Sequence, residues 1–88
     1  MKHLFIKDIV RDAEVNDYFI VVRKGTYLSK NNAKYMTLRL KDRTGSIEGR
    51  VWERVDELGA GFERNDLVYI ESKARPYQDA VQLNVTNI

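Results

Sequence analysis

Between Lys34 and Glu53 the chain alternates apolar with polar residues twice, on either side of a turn-forming KDRTGS segment. Met36, Leu38 and Leu40 share one face of the first run, with Tyr35, Thr37 and Arg39 on the other. In the second run Ile47, Gly49 and Val51 oppose Glu48, Arg50 and Trp52. A period of two is the signature of a strand with one buried face, so the stretch predicts a hairpin. Placing Leu40 opposite Ile47 sets Leu38 against Gly49 and Met36 against Val51. The outer pairs are then Arg39 with Glu48, Thr37 with Arg50, and Tyr35 with Trp52. A slip of one residue would set apolar side chains against polar ones, so the pattern selects this register. Asp42-Arg43-Thr44-Gly45 suits the turn, with Gly45 free to take a positive φ.

Upstream, Tyr18 to Leu28 is rich in β-branched and aromatic residues and predicts a long first strand. Gly25 interrupts it and is expected to mark the bulge that lets a sheet curl. Residues 1–16 read as a lead-in whose apolar residues (Leu4, Phe5, Ile6, Ile9, Val10) close one end of the core. The polar SKNNAK segment, residues 29–34, forms a loop with an Asn-Asn pair suited to a turn.

Downstream the period changes. Val55, Leu58 and Phe62 form one apolar stripe on a short helix within residues 53–62, ended by Gly59 and Gly61. Such a helix fits a plug over an open barrel end. Leu67 to Arg75 returns to alternation, with Val68, Ile70, Ser72 and Ala74 inward. Pro76 is expected to stop that strand because it cannot donate a ladder hydrogen bond. A tight PYQD loop leads to the last strand, Ala80 to Ile88, with Val81, Leu83 and Val85 inward and Gln82 and Asn84 outward. The sequence stops directly on that strand, which suggests a domain from a longer protein.

Three strands, a short helix and two more strands in 88 residues make one all-β domain. A small sheet with one polar face must bury the other. Closure into a five-stranded barrel plugged by the helix does this economically. An open sheet with the helix packed on one face is the alternative.

Composition changes this picture in two places. There is no cysteine, so disulfides and thiolate metal sites play no part, in keeping with a reducing cytoplasm. No apolar run approaches the roughly 18 residues of a spanning helix, and charges break up the start, so neither a membrane span nor a secretory signal is expected. Net charge is only +2, but it is unevenly spread. From Arg23 to Arg50 eight basic residues stand against Asp42 and Glu48, a net +6 that leaves −4 for the remainder. That asymmetry points to a polyanionic partner for the basic window.

The run GTYLSKNNAKYMTLRLKDRTGSIEGRVW resembles the first three strands of OB-fold nucleic-acid-binding domains of the anticodon-binding type. Leu40, Asp42, Gly45 and Ile47 stand at the positions of that family's Leu-x-Asp, turn glycine and following isoleucine. The stretch DLVYIESKARPYQDAVQLNVTNI resembles its last two strands, so the likeness covers residues 15–88. One departure is Ser72, where such domains often place a glycine. Within the superfamily the Val51-Trp52 ending and the spacing to QLNV are most similar to the amino-terminal OB domain of bacterial 3′-to-5′ exoribonucleases carrying an HD phosphohydrolase domain. The resemblance implies a five-stranded Greek-key OB barrel with its helix between strands three and four. It also implies a cytoplasmic module that guides single-stranded RNA or DNA, RNA in preference, with little base specificity, beside an adjacent catalytic domain.

In that resemblance the strand crosses the outer faces of strands two and three, and two loops close over it. On this chain those positions are Tyr35, Thr37, Arg39, Arg50 and Trp52, then Lys30 and Asn31, then Arg75, Tyr77 and Gln78. The residue types suit the task, because bases stack on aromatic faces and arginine both pairs with phosphate and stacks on bases. Bland readings stand beside these. Trp52 could instead be a core residue at the barrel mouth, packed on Val55 and Leu58. Tyr35 facing Trp52 could be a purely stabilising cross-strand pair. Glu48 is expected to neutralise Arg39, leaving Arg50 as the better phosphate contact. Arg75 and Tyr77 could be ordinary loop residues, and Tyr69 and Lys73 read as plain surface. Asp56 and Glu57 read as solvated surface of the plug helix. With His3 alone and no thiol, no nucleophile–base pair, metal site or cofactor is expected here. A protein-interaction or oligomerisation module is the alternative function, because OB barrels serve both roles.

Overall fold

The alternating runs form β1 (Glu14–Leu28), β2 (Lys34–Asp42), β3 (Gly45–Val51), β4 (Leu67–Tyr77) and β5 (Ala80–Asn87). A helix of little more than one turn, α1 (Val55–Gly59), joins β3 to β4, and a 3-10 turn spans Ile6–Asp8. The computed structural model describes residues 4–88; His3 lies outside them. The strands close into a barrel in the order β1-β2-β3-β5-β4, antiparallel except for a short parallel β3–β5 seam from Gly49–Leu83 to Val51–Val85. Closure rather than an open sheet is therefore the observed solution. The inward residues Phe19, Met36, Leu38, Leu40, Ile70 and Leu83 are fully buried at its centre. Val55, Leu58 and Phe62 are buried with them, as a plug requires.

The hairpin register is the expected one. Leu40 faces Ile47, Leu38 faces Gly49, Met36 faces Val51, Arg39 faces Glu48 and Thr37 faces Arg50. Its turn differs in detail. Gly45 has no positive φ and opens β3 opposite Asp42. The Arg43-Thr44 turn is held instead by Asp42, whose Oδ1 accepts the Thr44 N–H at 2.7 Å and its hydroxyl at 2.6 Å. The other oxygen accepts the Ile6 N–H at 2.8 Å, tying the lead-in to the hairpin.

β1 departs most from expectation. It begins at Glu14, not Tyr18, and Val15, Asp17, Phe19 and Val21 all point inward. Its first half pairs with β4 and its second half with β2, so one strand wraps from one side of the barrel to the other. The irregularity that allows this lies between Val21 and Arg23, not at Gly25. Gly25 sits in regular register opposite Thr37, and a Cβ there would stand 2.8 Å from the Tyr27 hydroxyl oxygen. The glycine therefore makes room for the Tyr27 ring.

One extra residue in a strand reverses which side chains face the core. Past the bulge Arg23, Gly25 and Tyr27 point outward, opposite the outward Arg39, Thr37 and Tyr35, and Lys24 points in. The Lys24 ammonium donates to the carbonyl oxygens of Gly59 (2.5 Å) and Phe62 (2.8 Å) and lies 4.5 Å from the centre of the Phe62 ring. A cation at the last carbonyls of a helix satisfies acceptors that the helix itself leaves open. One of the eight basic residues of the window is thus spent on the plug. Lys24→Met is expected to lower stability in urea unfolding by about 1–3 kcal/mol, because the carbonyls lose a charged donor.

One further correction falls on β4. The strand continues through Pro76, which faces Val81. Ala74 exchanges hydrogen bonds with Asp12 and Ala13, so its N–H side faces away from β5. Pro76, two residues on, turns its missing N–H toward the same side, beyond the point where β1 pairing ends at Lys73. Ser72, at the family's glycine position, is buried; its hydroxyl donates to the Val15 carbonyl at 2.7 Å beside a register irregularity at Glu71/Ser72.

Candidate nucleic-acid interface

The outer faces of β1, β2 and β3 carry side chains in rows across the strands. The first row is aromatic. Tyr27 and Tyr35 are directly opposed, with ring centres 6.0 Å apart. Trp52, one residue past β3, stacks on the other face of the row at 4.8 Å from Tyr35 and 27° between planes. Trp52 is 48% exposed and Tyr27 54%. Trp52 is therefore no core residue at the barrel mouth, although it does form the expected cross-strand pair.

Arg50 occupies the next row, opposite Thr37. Its guanidinium carbon lies 5.6 Å from the Tyr35 ring centre and 5.3 Å from that of Tyr77. Tyr77, at the end of β4, is thereby brought to the β3 face. Its position depends on the two-residue turn after it, where Gln78 takes φ 55°. Tyr35, Trp52, Arg50 and Tyr77 thus form one continuous surface of two stacked rings, a guanidinium and a third ring.

The electrostatics reverse one expectation. Glu48 does not neutralise Arg39 but pairs with Arg50 on its own strand. Glu48 Oε2 accepts from Arg50 Nε and Nη2, both at 3.1 Å, and from Gln82 Nε2 at 3.2 Å. The carboxylate fixes the guanidinium plane and compensates part of its charge. Three of the five N–H donors of Arg50 remain outside this pair. Among the described residues no ion pair engages Arg39, so Arg39, unlike Arg50, keeps its full charge on this face.

The remaining expected residues are spread more widely. Lys30 and Asn31 lie in the 29–33 loop, ordered by Ser29 and by Asn32 at φ 62°. Arg75 pairs with Asp12 at 3.1 Å and stays apart from the Arg50 cluster. On another part of the barrel wall Tyr69 is exposed and meets Tyr18 edge-on at 5.0 Å. Asp56 accepts from Lys34 at 2.9 Å. Glu57 accepts from Arg54, and that hydrogen bond and charge hold its carboxyl below the usual range, opposite to what a general acid needs. Tyr27 and Gln82 were not legible as site residues. Tyr27 joins the face only through the Val22 bulge, and Gln82 acts only by holding Glu48.

A closed five-stranded barrel in this strand order, with a plug between β3 and β4, defines the OB fold. A family model for the anticodon-type OB-fold nucleic acid binding domain matches residues 13–88, and the chain belongs to that family. It is similar to the 3′-5′ exoribonuclease YhaM of Shouchella clausii, at 29% identity over 79 residues, covering 89% of this chain and 25% of that protein. It also resembles YhaM of Halalkalibacterium halodurans, at 28% over 74 residues, covering 84% and 23%. The chain thus spans about a quarter of the length of the curated relatives it matches. Among solved structures, the second OB-fold domain of replication protein A from Methanococcus maripaludis superposes with a TM-score of 0.71. At 22% identity, over 99% of this chain and 91% of that one, this likeness speaks for the fold. No helix among the described residues is long and apolar enough to cross a membrane.

Proposed function

We propose that this domain binds single-stranded nucleic acid, RNA in preference to DNA and with little base specificity, as the substrate-guiding module of a larger nucleic-acid-processing protein. The observation that carries this reading is the exposed Tyr35–Trp52 stack with the Arg50 guanidinium held beside it. Aromatic rings accept any base, and the arginine supplies a phosphate partner, so the face favours single strands without demanding a sequence. The preference for RNA draws on the exoribonuclease relatives, whose name describes an activity on RNA. An adjacent catalytic domain is the partner this role calls for, with a cytoplasmic setting to match.

The test is a titration of fluorescent oligo-U and oligo-dT at two salt concentrations. Two to four phosphate contacts give a log-log slope of about −1.4 to −2.8. Oligo-U is expected to bind more tightly than oligo-dT of equal length. Absence of binding at low salt would exclude the reading. In that event light scattering distinguishes the interaction-module alternative, in which the Tyr35–Trp52 face is covered by another chain.

A further inference from the structure

We propose that Arg23, Arg39 and Arg64 form a second, purely phosphate-binding groove that receives the backbone of a single strand beyond the aromatic row. The proposal rests on the single-strand-binding reading above and extends its footprint. The Val22 bulge turns Arg23 outward and sets it directly opposite Arg39 across β1 and β2. Like charges at directly opposed positions destabilise a sheet, so this arrangement costs the fold something when nothing lies between them. The nearby carboxylates do not offset it. Glu48 is held by Arg50 and Gln82, and Glu63 pairs with Lys24 at 3.7 Å. Among the described residues no ion pair engages Arg23, Arg39 or Arg64.

The three arginines border one open groove, whose remaining lining is Val22, Lys24 and Glu63. No aromatic side chain lines it, so it offers charge and hydrogen bonds to a phosphate but no platform for a base. It lies four residues along β2 from Tyr35, about 14 Å at strand rise. That distance places it outside the reach of a base stacked on Trp52. A strand long enough to extend from the stack toward the β2–β3 turn would lay its backbone over the opposed arginines and relieve their repulsion.

The experiment is a length series of oligo-U, from about 4 to 16 nucleotides, the range of single OB footprints, at 50 and 200 mM salt. Wild type is compared with Arg23→Ala/Arg64→Ala, and Arg39→Ala is measured separately. The double variant is expected to bind the shortest oligomers as wild type does and to lose the gain in affinity of the longer ones. Its salt slope on long oligomers should be shallower by about 1.4, which shrinks the affinity ratio between the two salts about sevenfold. Its melting temperature should equal or exceed that of wild type, since a repulsion has been removed. Unchanged slope and affinity at every length would overturn the groove while leaving the aromatic site intact. So would an equal loss at all lengths, because the arginines would then belong to the primary contact. Failure of wild type to bind any oligomer would overturn both readings.

Discussion

Replacing Trp52 with alanine is expected to lower affinity for a single strand by about 5- to 150-fold, the value of one stacked base at roughly 1–3 kcal/mol. The ring is nearly half exposed, and its inner face is already occupied by Tyr35 at 4.8 Å, so the outer face is what a base can use. Tyr35→Ala should cost at least as much, because Tyr35 supports both the indole and the Arg50 guanidinium. The two losses will therefore not add: the double variant should fall short of their sum by an amount a double-mutant cycle reads directly. Stability should change little by comparison, since a cross-strand aromatic pair contributes up to about 1 kcal/mol. Trp52 is the sole tryptophan, so its own fluorescence provides the assay. Oligonucleotide binding should quench it, and titrations followed by quenching and by oligonucleotide anisotropy should give one dissociation constant. Affinity unaffected by both substitutions would remove the aromatic row from the binding face.

The parts of this face that were legible in the sequence are those set by strict alternation. From Met36 to Leu40 and from Ile47 to Val51 every inward position is apolar or glycine and every outward one is polar, so register and face follow from one constraint. The family resemblance then supplied the closure order that periodicity alone left open. What stayed hidden depends on one inserted residue. Val22 repeats the residue before it, and nothing in its side chain announces that the strand changes parity there. Yet that change decides that Tyr27 and Arg23 join the outer face and that Lys24 leaves it for the carbonyls of Gly59 and Phe62. Charge pairing was hidden for a different reason. Arg39 and Glu48 are opposed across the strands, but Arg50, two residues along from Glu48, reaches the same carboxylate with two donors. Two charge-assisted donors on one oxygen outweigh a single cross-strand contact, and sequence position does not reveal which arginine can supply them.

The start of β1 was obscured by a single inward acid, and that acid is expected to matter as much for stability as Trp52 does for binding. Val15, Phe19 and Val21 continue the inward alternation, but Asp17 stands among them and breaks the apolar pattern. Its side chain is 2% exposed. One carboxylate oxygen accepts the Leu4 N–H at 2.7 Å and the other the Tyr18 N–H at 2.7 Å. Burying a carboxylate is costly unless its lone pairs are engaged, and here the acceptor of two backbone donors also anchors the lead-in across the barrel end. Asp17→Ala leaves both donors without this partner and is expected to cost about 2–6 kcal/mol, at 1–3 kcal/mol for each stranded group. An 88-residue domain has a total stability of about 4–13 kcal/mol, so the loss would remove a substantial share of it. Asp17→Asn keeps one acceptor oxygen but turns an NH2 group toward the second N–H, so it should fall between wild type and Asp17→Ala. Urea unfolding checks the order through the midpoint, with the slope unchanged if only the native state is affected. If Asp17→Ala unfolded at the wild-type midpoint, the lead-in would have to be held by its bonds to the hairpin, such as Ile6 N–H to Asp42, and by its apolar contacts. In that case Leu4, Ile6 and Ile9, which pack against the core, would carry the closure that the carboxylate geometry assigns to Asp17.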